Sequence, residues 1–276
     1  MNPVKIMVNG LPGDMAATIA AHGIMDQRFE IVPYSLTGPE ITDADCLIRD
    51  QAIRLVRPEQ AETIIGDIKT GFFPFICIDF THPSAVNGNA EFYCKHGLPF
   101  VMGTTGGDRD RLHQTVCDSK ISAVIAPNMA KQIVGFQAMM EWAAHAFPGL
   151  FDGYTLEIQE SHQQGKADTS GTAKAMVGYF NSLGTPYTAD KIIKERDPEK
   201  QRTILGVPEN YLTGHAWHTY SLTSSDDTVK FEFSHNVNGR DIYALGTLDA
   251  ANYLAEKVKQ GRQSVVYSMI DILKNL

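Results

Sequence analysis

The chain has only four cysteines and two tryptophans in 276 residues, and its 24 Lys and Arg are outnumbered by 32 Asp and Glu. Cys46, Cys77, Cys94 and Cys117 stand far apart, in or beside apolar segments. No pair has zinc-ligand spacing, so reduced and mostly buried thiols are expected in place of a metal or disulfide scaffold. No apolar run approaches the roughly 20 residues that cross a bilayer, which argues against a membrane setting. The opening residues, Met1 to Val8, lack the basic stretch and long apolar core of a secretory signal. A cytoplasmic protein is expected, or the mature form of a plastid-like organellar one. A formal net charge of −8 leaves no broad basic surface for nonspecific nucleic-acid binding. An anionic ligand must therefore meet cations gathered locally beside backbone donors. Internal repeats and low-complexity tracts are absent too.

What remains, 43% hydrophobic and 20% charged, has the composition of a globular chain with room for two domains. Its first half alternates short apolar runs, at 4–8, 29–35, 75–80, 100–102 and 123–126, with helical patterns at 15–24, 58–69, 83–96 and 109–118. That alternation predicts an α/β fold, a parallel sheet covered by helices. Residues 38–56 fit short strands around a turn as well as irregular chain, and both readings stand. After Asn128 the pattern changes to a helix over 132–147 and an alternating strand over 154–160. Later strands are expected at 218–223 and 229–237 with a turn at 224–227, an α+β arrangement with an antiparallel sheet. Helices over 242–259 and 264–273 close the chain. The expected division is a dinucleotide-binding domain at 1–130, a substrate and oligomerisation domain at 131–241, and 242–276 packing back on the first.

The first strand runs into Asn9-Gly10-Leu11-Pro12-Gly13-Asp14-Met15-Ala16 and directly into a helix. Glycines there let backbone approach a pyrophosphate, and helix N-terminal amides stabilise its charge. Only Gly10 and Gly13 hold the usual glycine places, with Ala16 in the third, so an ordinary strand-to-helix turn is an equal reading. Two further loops at strand ends, Asp79-Phe80-Thr81-His82-Pro83 and Gly103-Thr104-Thr105-Gly106-Gly107-Asp108, stand where open α/β sheets bind ligands. The second strand ends Val32-Pro33-Tyr34-Ser35-Leu36-Thr37-Gly38 without the acid that reads the NAD ribose. Ser35 and Thr37 could donate to a 2′-phosphate, which favours NADPH over NADH.

The richest segment is Glu160-Ser161-His162-Gln163-Gln164-Gly165-Lys166-Ala167-Asp168-Thr169-Ser170-Gly171-Thr172. It joins a strand end, a proton-exchanging His, a Lys four residues on, and a Ser-Gly-Thr opening a helix whose amides suit a carboxylate. A plain strand-loop-helix joint, with Ser and Thr as caps and a solvated Lys, uses the same residues.

Five motifs in one order, Gly10 to Met15, Asp79 to Pro83, Gly103 to Gly106, Ala126-Pro127-Asn128-Met129 and Glu160 to Thr172, resemble the 4-hydroxy-tetrahydrodipicolinate (dihydrodipicolinate) reductases across the whole chain. The resemblance implies a Rossmann-like N-terminal domain, a C-terminal substrate domain with tetramer contacts, and reduction of a cyclic imine dicarboxylate in the diaminopimelate route to lysine. It implies His162 as proton donor, Lys166 as catalytic and substrate-anchoring, and Ser170, Gly171 and Thr172 as a carboxylate cradle. The cofactor positions implied or read from the loops are Gly10, Pro12, Gly13, Asp14, Met15, Ser35, Thr37, Phe80, Thr81, His82, Gly103, Thr104, Thr105, Pro127, Asn128 and Met129. Gln163, Gln164 and Gly165 stand where the common bacterial form has His and basic residues, and the Pro before Ser-Gly-Thr is missing. The sequence is thus closer to the plant-type branch, with Arg240 a candidate compensating cation. The rival readings are another two-domain NAD(P)-dependent amino or imino acid dehydrogenase and a non-catalytic NADPH sensor.

Other polar features are read as structural. His215 and His218 lack a third ligand at useful spacing, so packing is expected and no metal. Trp142, with Met139 and Met140, reads as helix core, and 191–202 as a solvated surface segment.

Overall fold

In β1 (Val4–Asn9), Ile6, Met7 and Val8 are all buried, as the interior of a parallel sheet covered on both faces requires. The computed structural model describes residues 2–275. After β1 come α1 (Asp14–Met25), β2 (Phe29–Ile31), β3 (Tyr34–Leu36), β4 (Asp45–Ile48), β5 (Gln51–Val56), α2 (Pro58–Phe72), β6 (Ile76–Asp79), α3 (Val86–His96), β7 (Phe100–Met102), α4 (Arg109–Cys117) and β8 (Ala123–Ile125). There follow α5 (Lys131–Ala146), β9 (Tyr154–His162), α6 (Gly171–Ser182), β10 (Ile193–Glu195), α7 (Pro198–Lys200), β11 (His215–Ser224) and β12 (Lys230–Asn238). The chain ends with α8 (Asp241–Lys259), β13 (Val266–Tyr267) and α9 (Met269–Leu273). Contacts divide it into two units, one running to Lys131 and resuming at Asp241, the other Gln132–Arg240. No helix among the described residues is long and apolar enough to cross a membrane.

The first unit is built on a six-stranded sheet of order β13-β8-β7-β6-β1-β2, with every pairing parallel. All carboxyl ends therefore share one edge, and the connections leaving β1 and β6 part there, which is where open sheets take ligands. Met7, Cys77, Phe100 and Met102 from the strands meet Ile65, Ile68, Tyr93 and Val116 from the helices in one core. Helix α8 belongs to this unit and lies close over the loop after β8. A Cβ on its Gly246 would sit 1.8 Å from the Met129 carbonyl oxygen, so only glycine fits.

Three expectations change here. The strand over 29–35 is broken: β2 pairs with β1, whereas β3 pairs with β5 in a separate three-stranded sheet of order β3-β5-β4. Pro33 between them has no N–H to continue a ladder. Residues 38–56, left open by the sequence, contain the β4–β5 hairpin, turned by Arg49 at φ 52. The helix over 264–273 is instead strand β13 and the short α9, with Ser268 and Asp271 forming a capping box between them.

In the second unit a four-stranded sheet has the order β10-β9-β11-β12, antiparallel except for β10 beside β9. Ile158, Tyr220 and Leu222 face Met140, Ala144, Met176 and Phe180 from α5 and α6. Trp142 and Met139 are not helix core. They are 64% and 63% exposed, because α5 buries the face that carries Met140 and Ala144. The segment 191–202 is solvated along most of its charged residues, as expected, but β10 within it pairs with β9, Arg196 is half-buried, and Ile192 and Gln201 are buried.

Candidate active site

At the carboxyl-end edge of the first sheet, three strand-end loops interlock so closely that only glycine fits at Gly10 and the Phe80 ring packs directly on Gly103. A Cβ on Gly10, at φ +104, would lie 2.2 Å from the Phe80 carbonyl oxygen, and one on Gly103 would lie 2.1 Å from the Phe80 ring. Gly13 N donates to Gly10 O, and α1 starts immediately after it with exposed Asp14 in the first turn. Ala16, in the third glycine place, is wholly buried, so a methyl group fits there.

Asp79 ties these loops together. Fully buried at the end of β6, its carboxylate accepts from Tyr93 Oη at 2.8 Å, Thr104 Oγ1 at 2.6 Å, Thr81 Oγ1 at 2.9 Å and Asn89 Nδ2 at 2.9 Å. Asn9 Nδ2 donates to the same Tyr93 hydroxyl, and Leu36 N donates to Asn9 Oδ1, which links β1 to the end of β3.

Several expected cofactor residues point inward. Ser35 Oγ accepts from Leu11 N, and Thr37 Oγ1 donates to Leu11 O at 2.6 Å. Both residues are buried, so these hydroxyls hold the glycine loop and do not offer themselves to a 2′-phosphate. Thr104 is spent on Asp79, and buried Met129 supports α8. Exposed His82 accepts from Ser84 N and so caps the turn before α3. Thr105, Pro12, Gly13 and Pro127 are exposed on their loops, with Gly10, Met15, Phe80, Thr81, Gly103 and Asn128 half-buried.

In the second unit, Glu160 and His162 point to one face of β9, two residues apart. Glu160 is wholly buried, which demands compensation. Arg196 pairs with its Oε1, and Ser170 N, at the N-cap of α6, donates to Oε2 at 2.9 Å. Arg196 Nε also donates to Lys166 O at 2.9 Å, so one guanidinium draws the 163–170 loop over the strand end. Gln201 Nε2 donates to His162 O at 2.7 Å from the other side. Lys166 Nζ reaches Asp168 at 2.7 Å, and this ammonium holds the Asp168 carboxyl below its usual range. The exposed Gly171 and half-buried Thr172 open α6 and present its first amides.

His162 is 7% exposed, and burial brings its imidazole down to about 4, with Glu160 opposing the shift and Arg196 and Lys166 adding to it. It is therefore neutral at pH 7 in the free protein, not poised near neutrality. Arg240 stands exposed after β12.

The N-terminal model of dihydrodipicolinate reductase matches residues 4–129 and the C-terminal model matches 133–273. The chain belongs to the dihydrodipicolinate reductase family. An Arabidopsis thaliana relative, "4-hydroxy-tetrahydrodipicolinate reductase 2, chloroplastic", is 47% identical over 99% of this chain and 78% of its own. A reductase of the same name from the bacterium Herminiimonas arsenicoxydans is 29% identical over 99% of both chains. The plant-type departures at Gln163, Gln164 and Gly165 agree with that contrast. Among solved structures, a dipicolinate-bound dihydrodipicolinate reductase from Paenisporosarcina sp. TG-14 shares the fold, with a TM-score of 0.69 and 21% identity over 98% of this chain and 99% of that one.

The residues of the site that sequence reasoning missed are Arg196 and Gln201. Their partners lie 36 and 39 residues away, beyond any local pattern. Removing Arg196 leaves Glu160 as an uncompensated buried charge. Arg196→Leu is expected to cost about 3–5 kcal/mol in urea unfolding, with part recovered in the Glu160→Gln/Arg196→Leu double variant. A single variant as stable as the parent would show that the pair does not hold the loop.

Proposed function

We propose that the chain reduces 4-hydroxy-tetrahydrodipicolinate to tetrahydrodipicolinate with NADPH or NADH, in the diaminopimelate route to lysine. The observation that carries this reading is the Glu160–Arg196 staple, which fixes Lys166, His162 and the α6 amides as one anion-binding, proton-exchanging cluster in a chain of this family. The glycine-only contact at Gly10 and the packing of the Phe80 ring on Gly103 fit a dinucleotide, because a Cβ at Gly10 would meet the Phe80 backbone and close the approach. A nicotinamide dinucleotide held there supplies the hydride.

The residues of the second unit do the rest. Lys166 exchanges its contact with exposed Asp168 for a substrate carboxylate, and the Ser170, Gly171 and Thr172 turn donates amides to a carboxylate. Arg240 adds a cation. The 4-hydroxyl leaves as water with a proton from the neighbouring ring carbon, which conjugates the new C=C bond with the imine. Hydride adds at the carbon that bore the hydroxyl, and the enamine so formed takes a proton from His162 at the neighbouring carbon, which restores the imine of the product. A dianion beside His162 opposes the desolvation that keeps its ring neutral, so substrate binding itself raises the affinity of His162 for a proton. Orientation of the ring contributes up to roughly 7–11 kcal/mol in well-positioned systems.

Both dinucleotides are accepted on this reading. Ser35 and Thr37 no longer support a preference for NADPH, and the Glu40 carboxylate folds over Gly38, where an acid suits ribose hydroxyls better than a 2′-phosphate. A homo-oligomer, expected as a tetramer, is supported by the exposed Met139, Trp142, Phe147 and Leu150 on and after α5. The setting proposed is the cytoplasm or a plastid-like organelle.

Substrate-dependent loss of nicotinamide absorbance tests the reading. His162→Ala should lower kcat by about 10²- to 10⁴-fold with cofactor affinity kept, and Lys166→Ala should lower kcat and raise the substrate KM together. Normal turnover with lost cofactor affinity in either variant would contradict the assignment, and cofactor binding without turnover in the parent would favour a sensor. In the same assay, kcat/KM for NADPH and NADH should agree within about tenfold, less than one charged hydrogen bond contributes. A much larger preference for NADPH would overturn the Glu40 argument.

A further inference from the structure

Four buried imidazole nitrogens in the second unit have no hydrogen-bond partner: His162 Nε2, Nδ1 and Nε2 of His218, and Nδ1 of His235. A buried polar group without a partner keeps its full desolvation penalty, so a cluster of them calls for a group that meets them. Strand register explains how they gather. His218 is opposite Glu160 across β11 and β9, and opposite His235 across β11 and β12. The ring of His162 meets that of His218 edge-on at 5.1 Å, and His218 stacks on His235 at 4.7 Å. One ligand atom from each of Glu160, His162 and His218 lies within 4.8 Å of the others. The third ligand that spacing around His215 and His218 did not offer comes from a neighbouring strand.

We propose that Glu160, His162 and His218 bind one borderline divalent cation, with zinc as the probe, and that its occupancy inhibits reduction by withholding His162 from the substrate. The inhibition rests on the function proposed above; the binding does not. Two imidazoles and a carboxylate with an open fourth position form a ligand set that zinc takes. Donors at about 2.0–2.2 Å from a tetrahedral ion stand roughly 3.3–3.5 Å apart, so modest side-chain rotations close the site. Burial keeps His162 and His218 deprotonated, at about 4 and about 2, so neither must release a proton to bind. Arg196 and the Ser170 amide each take one lone pair of Glu160, and each carboxylate oxygen keeps another. The guanidinium and the Lys166 ammonium nearby weaken the cation, which makes the site reversible and not a structural clamp. His215 is committed elsewhere, to Ser161 Oγ and Tyr211 O, and His235 only supports the His218 ring.

Cobalt titration of the full chain without substrate tests the site. One Co²⁺ per chain should give the intense visible absorption of a four-coordinate ion, and Zn²⁺ should displace it. His218→Leu should weaken binding at least about tenfold, the scale on which even outer-shell changes act, whereas His235→Leu leaves it unchanged. Whatever reductase activity His218→Leu shows without zinc should not fall when zinc is added. If that variant does not fold, His162→Gln should remove the same cobalt band. Absence of a stoichiometric band in the parent, or a band untouched by both ligand substitutions, overturns the site. Stoichiometric zinc without inhibition overturns the inhibitory role alone, and a lack of zinc-free activity in the parent overturns the proposed function instead.

Discussion

A carboxylate with no access to water sits at the end of β9, and the segment that follows, to Thr172, is arranged around meeting its charge. Glu160 is buried by the sheet and by α6, so leaving it unpaired would cost several kcal/mol. Arg196 answers from the loop after β10 and, having reached Glu160, spends its remaining N–H groups on the carbonyls of Lys166 and Glu195. The loop over 163–170 has almost no regular structure of its own. Its shape is inherited from that guanidinium, from Ser170 on the other carboxylate oxygen, and from Gln201 beneath His162. Groups needed for chemistry are thus held by groups that do none.

The first unit solves the same problem in the same way. Asp79, at the end of β6, is a second buried carboxylate, and its partners come from the loops after β6 and β7 and from helix α3. In both units an acid at a strand's end converts exposed loops, which would otherwise be mobile, into a preorganised surface. The difference lies in the compensation. Asp79 is met by hydroxyls and an amide, whereas Glu160 is met by a full positive charge. That suits the role proposed for the second unit, holding an anion beside a histidine whose own charge is suppressed.

Hydrophobic runs made the parallel sheet legible, and the ordered motifs made the ligand loops and the segment from Glu160 to Thr172 legible. Orientation was not. Ser35 and Thr37 stand at the correct loop, but which way a hydroxyl points depends on the backbone of Leu11 across the fold. Residues 191–202 have the composition of a solvated surface, and only the distant demand of Glu160 pulls Arg196 inside. Trp142 was misplaced because α5 is apolar around most of its circumference, so periodicity could not say which stripe is buried. Likewise the histidines of β9, β11 and β12 meet through register, which one-dimensional spacing cannot express.

The most direct measurement follows the transferred hydrogen. With NADPH deuterated at nicotinamide C4, the tetrahydrodipicolinate formed from 4-hydroxy-tetrahydrodipicolinate should carry one deuterium at the ring carbon that bore the hydroxyl, with the neighbouring proton drawn from solvent. Product without deuterium at that carbon, or oxidation of the cofactor without labelled product, would contradict hydride transfer to a substrate held by the Glu160 to Thr172 segment.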